Sequence, residues 1–99
     1  MLLRDKDRDA IICIAKKVFY DSLHIWVYGS RVNGEAHDMS DLDLVLIAKD
    51  GNKVNMSKFM DFKELLTDSN IPIPIQILDW QRIPKSFYKN ILENYEELI

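Results

Sequence analysis

From about Asp7 to Asp21 the apolar residues fall on Ile11, Ile14, Ala15 and Val18, with Ile12 and Phe19 beside them. Steps of three and four put these on one broad stripe, so the spacing predicts a helix. His24 to Tyr28 is short, apolar and aromatic, and reads as a strand that Gly29 ends. Leu42 to Ala48 is apolar nearly throughout, the pattern of a strand covered on both faces. Phe59, Phe62, Leu65 and Leu66 predict a second long helix from about Val54 to Asp68, closed by Ser69-Asn70. Ile73 to Trp80 is a third strand, entered through Pro72 and Pro74. Pro84 opens a last helix that carries Tyr88, Ile91, Leu92, Tyr95 and Ile99 on one side. Asn33-Gly34 and Asp50-Gly51 mark turns. The order is helix, strand, turn or short helix, strand, helix, strand, helix. It gives an α/β (α+β) domain, a small mixed sheet with helices packed against it.

The 99 residues suit a single domain spanning 1–99, and 47% apolar content is enough for one core. A net charge of −3 creates no long-range field for nucleic acid or an anionic membrane. Direct nucleic-acid binding is therefore not expected, and any phosphate must be held by a local site. No apolar run approaches the ~20 residues that span a bilayer, and Met1 to Lys6 is too charged for a signal peptide. A cytoplasmic protein without membrane contact is the expectation. Cys13 is the sole cysteine, which excludes an internal disulfide. Its neighbours Ile11, Ile12 and Ile14 suggest a small buried hydrophobe rather than a reactive thiol.

The chemistry concentrates between Trp26 and Ile47. Asp41 and Asp43 stand at i and i+2 where the second strand begins, so both carboxylates point to one side. Like charges so placed repel unless a cation lies between them, and Mg²⁺ takes one or two carboxylates plus substrate phosphates. A helix cap or a solvated loop edge is the commoner use of Asp-x-Asp. Gly29-Ser30 ends the first strand. Glycine lets the backbone approach a ligand closely, and the serine hydroxyl can donate to a phosphate oxygen. Alone, a Gly-Ser turn is usually only a turn. A strand, Gly-Ser, the ten residues Arg31 to Ser40, then Asp-x-Asp opening a second strand is much rarer.

This arrangement resembles the nucleotidyltransferase superfamily with a DNA polymerase β-like palm core. The stretch GSRVNGEAHDMSDLDL is most similar to its minimal nucleotidyltransferase (MNT) group. The resemblance is carried from Trp26 to Ile47 and, less closely, through IQILDW at Ile75 to Trp80. It implies that Gly29 and Ser30 hold a nucleotide's triphosphate, that of ATP. Asp41 and Asp43 would bind divalent ions, Mg²⁺ or Mn²⁺, which bridge the phosphates and align the attacking hydroxyl. It further implies an adenylyltransferase acting as an antitoxin on a HEPN-domain toxin, in a homo- or hetero-oligomer. Arg31, next to the serine, is either a phosphate partner or a surface arginine.

One position departs from the family's pattern, in which the third strand carries another acid. Gln76 stands there, neutral and unable to act as a base. Asp79 lies three residues on and faces the other side of a regular strand. The alternative is therefore a nucleotide-binding or partner-binding subunit with weakened catalysis. His37, in the spacer, reads as a solvated loop residue or a phosphate contact, and His24 as structural. Trp26 and Trp80 read as core or rim aromatics, with base stacking the less common use.

Overall fold

The first helix starts one turn earlier than its apolar stripe. Arg4 precedes it and grips Asp7 through two hydrogen bonds of 2.9 and 3.1 Å, which lets Asp7 be buried in the first turn. This helix, α1, runs Asp5–Phe19, with acids in its first turn and Lys16 and Lys17 in its last, each complementing the helix dipole. It stops where Tyr20 takes a positive φ of 57° and its N–H returns to the Lys16 carbonyl. The computed structural model describes residues 3–34 and 40–99.

Strand β1 (Leu23–Tyr28) leads through Gly29 into the short helix α2 (Ser30–Asn33). Strand β2 is Leu42–Ala48 and helix α3 is Met56–Thr67. Asn55 caps α3 by accepting from the Lys58 N–H at 3.0 Å. Strand β3 (Ile75–Asp79) is followed by a 3₁₀ turn at Lys85–Phe87, helix α4 (Tyr88–Glu93) and strand β4 (Tyr95–Glu97).

The four strands form one mixed sheet in the order β3-β2-β1-β4. β1 runs antiparallel to both neighbours, and β2 and β3 are parallel. Alternation along each strand divides the apolar residues between two faces. Leu23, Ile25 and Val27 of β1 and Leu42, Leu44 and Leu46 of β2 meet α1 and α3, with Ile11, Ala15, Phe62 and Leu66 in one core. Phe19 and Phe62 join the two helices edge to face, 5.4 Å between ring centres. The opposite face is covered more thinly. There Tyr28, Val45 and Ile91 are buried, with Trp26, Trp80 and Phe87 packed around them. Among the described residues, no helix is long and apolar enough to cross a membrane.

Two expectations need correction. The last helix does not reach Ile99: Asn94 turns extended (φ −149°, ψ 101°), and Tyr95–Glu97 pairs with β1 instead. The open edge of β1 is the cause. Ile25 accepts from Leu98 N–H at 2.7 Å and donates to the Ile99 carbonyl at 3.1 Å, and Leu98 is buried as a result. Cys13 is exposed rather than buried. Ile11, Ala15 and Phe19 define the buried stripe of α1, and a residue two after Ile11 lies on the far side of the helix.

Candidate functional site

On the thinly covered face, one transverse row crosses the whole sheet. Gln76 on β3 pairs with Asp43 on β2, Asp43 with Tyr28 on β1, and Tyr28 with Tyr95 on β4. Asp41 precedes β2 by one residue and, by parity, shares the side of Asp43. The Gln76 amide donates to Asp41 Oδ2 at 3.3 Å. The register therefore brings Gln76 to the carboxylate pair.

β1 delivers Gly29 to the same place. Its backbone has φ 84° and ψ −152°, a conformation adopted almost only by glycine. A Cβ there would lie 2.5 Å from Asp43 Oδ2, so the Gly29 backbone lies against this carboxylate. Ser30, partly exposed, begins α2 immediately beyond. Arg31 is 5% exposed, so it is not a surface arginine. Its Nε and Nη2 donate to the Ser40 carbonyl at 3.0 and 2.7 Å. A buried guanidinium thus ties the helix after Gly-Ser to the residue before Asp41, closing the spacer from both ends. His37 falls outside the described residues.

Asp43 is half-buried, and burial raises its carboxyl above the usual range, with the neighbouring Asp41 charge adding to the effect. Tyr28 is pushed up to about 12, first by burial and then by Asp43. It stays a neutral phenol beside the carboxylate, a neighbour that the sequence signalled only by its place before Gly29. A raised acid binds its proton more tightly when folded, so its ionisation opposes folding as pH climbs through the carboxylate range. Asp43→Asn should therefore raise the metal-free melting temperature at neutral pH, and the gain should shrink as pH falls through that range. Thermal melts across that range test this, and a lower melting temperature for the variant at neutral pH would refute it.

Asp79 belongs elsewhere. It is buried on the other side of β3, where Oδ2 accepts from Val54 N–H at 2.8 Å and Arg82 Nε at 3.0 Å. Its Oδ1 accepts from Gln81 N–H at 3.1 Å. Trp26 and Trp80 are partly buried rim residues: Trp26 stacks on Tyr95 at 4.4 Å and Trp80 on Tyr88 at 3.9 Å.

Among the described residues, no three His, Cys, Asp or Glu side chains cluster as a metal cage. Two carboxylates on one side nevertheless fit a divalent ion that completes its shell with phosphate and water oxygens. The model of the polymerase beta, nucleotidyltransferase family matches residues 10–99. The chain belongs to this family.

The chain is 32% identical over 71 residues to a probable protein adenylyltransferase MntA from Haemophilus influenzae. The match takes in 72% of this chain and spans 60% of that relative's length. Solved structures share its fold. A toxin–antitoxin crystal structure with AMP-PNP superposes with a TM-score of 0.74 at 16% identity, covering 93% of this chain and 72% of the other. A tri-AMPylated HEPN toxin in complex with an MNT antitoxin, from Shewanella oneidensis, gives a TM-score of 0.71 at 12% identity, covering 98% and 72%.

Proposed function

We propose that this nucleotidyltransferase binds ATP together with a divalent ion, Mg²⁺ or Mn²⁺, at Asp41 and Asp43. It transfers the adenylyl group to a HEPN-type partner protein in the cytoplasm, as an antitoxin. The observation that carries this reading is the meeting of the Gly29-Ser30 turn with the two carboxylates on one face, the Gly29 backbone lying against Asp43. The family match and the adenylyltransferase relative support the class of reaction.

The residues of the site have distinct parts. Gly29 leaves the space beside Asp43 open for phosphate oxygens. Ser30 offers a hydroxyl donor, and Arg31 holds the turn against Ser40. Asp41 and Asp43 would hold the ion. When bound, that ion neutralises charge on the phosphates and the departing pyrophosphate. Gln76 takes up no proton, so β3 offers the attacking hydroxyl no base. The neutral amide at this place favours a second reading, a nucleotide-binding and partner-binding subunit whose transfer is slow.

Calorimetric titration with ATP separates the outcomes. Binding should require Mg²⁺, since the carboxylate pair otherwise repels the triphosphate. Asp41→Asn, at an exposed position, should weaken Mg-dependent binding without lowering the metal-free melting temperature. Equal ATP affinity with and without Mg²⁺ would sink the ion-bridged site. Labelled transfer to a HEPN partner then distinguishes an active enzyme from a binding subunit.

A further inference from the structure

We infer that Gln76 makes this a site for one divalent ion per bound nucleotide rather than two. The inference rests on the nucleotide-binding reading above and adds the number of ions and the residue that sets it. Three side chains define the mouth of the site: Asp43 on β2, Asp41 just before β2, and Gln76 directly across from Asp43 on β3. Two ions held together sit about 3.5–4 Å apart and carry four positive charges between them. A nucleoside triphosphate brings one ion on its own phosphates, and Asp41 and Asp43 can complete that ion's shell. A second ion adds two positive charges close to the first, and a further anionic ligand from the protein would be needed to offset that repulsion.

Among the described residues, Gln76 is the side chain that lies across from Asp43 and also touches Asp41, and its amide already has a use. The NH₂ group donates to Asp41 Oδ2 at 3.3 Å. That contact turns donor hydrogens, with their partial positive charge, toward the carboxylate pair that a second cation would have to share. If the amide turned round, its oxygen would face the Asp41 oxygen, two acceptors opposed with nothing between them. A cation could relieve that opposition only by displacing the existing hydrogen bond. The same side chain thus steadies Asp41 for the first ion and disfavours the second. Gln76 is exposed, so its replacement removes no core packing.

The count can be measured without turnover. The full chain is dialysed to equilibrium against Mn²⁺ and saturating α,β-methylene ATP, and retained Mn²⁺ and nucleotide are counted per chain. The wild type and Gln76→Ala should hold one Mn²⁺ for each nucleotide. Gln76→Asp should hold two, the second at a Mn²⁺ concentration lower by about tenfold or more than the wild type would need. Two Mn²⁺ per nucleotide on the wild type would overturn the inference and leave the nucleotide reading intact. A count of one that persists in Gln76→Asp would also overturn it. No retained nucleotide under any condition would remove the reading and the inference together.

Discussion

Gly29→Ala should give a less stable protein that has lost its metal-dependent nucleotide binding. Two effects act at one atom. The backbone at φ 84°, ψ −152° lies in a region that costs a residue with a Cβ about 1–3 kcal/mol. The new methyl would also stand 2.5 Å from Asp43 Oδ2, which no real Cβ tolerates. The short Asp43 side chain is the softer partner, so it swings away and the carboxylate pair is broken up. For a domain of this size the strain alone lowers the melting temperature by roughly 5–15 °C. Melting curves and calorimetric titration with Mg-ATP check both parts. Wild-type nucleotide affinity in the alanine variant would mean that the close approach of Gly29 to Asp43 has no part in binding.

Asp79→Ala should produce the largest loss of stability from any single carboxylate here. Three donors converge on this buried group: Val54 N–H, Arg82 Nε and Gln81 N–H. They join the end of β3 to the segment that enters α3. Arg82 keeps part of its side chain in water and can rehydrate, but the Val54 amide is buried and left without an acceptor. A loss of about 3 kcal/mol follows, more than roughly 10 °C in melting temperature. Nucleotide affinity of the folded fraction should stay near wild type, since the group faces away from Asp41 and Asp43. Unchanged stability combined with lost nucleotide binding would move Asp79 into the site and show the strand register to be wrong.

Particular residues show what the sequence could and could not convey. The bounds of β2, Leu42–Ala48, follow from a run that is apolar at every position but Asp43, because a strand covered on both faces has little alternation to confuse. The placement of Gln76 beside Asp43 follows from strand parity once β3 is aligned. By contrast, Tyr88, Ile91, Leu92 and Tyr95 recur at helical spacing, and only the open edge of β1 decides that Tyr95–Glu97 becomes a strand. The burial of Arg31 depends on a carbonyl nine residues away, which no local pattern announces. Strand parity turns Asp79 away from the site, but the donors from Val54 and Arg82 that give it a use converge only in three dimensions.

The pairing of β4 with β1 has a consequence for how the chain is made. β1 is synthesised before β4, so Trp26 must wait for Glu97, and the Ile25 backbone for Leu98 and Ile99. Pairings so distant along the chain form slowly. Until they form, an apolar strand shows one unsatisfied edge, a template for intermolecular pairing while the polypeptide is still leaving the ribosome. The stacking of Tyr95 on Trp26 closes that window and gives the indole a fluorescence signature by which its closing can be timed.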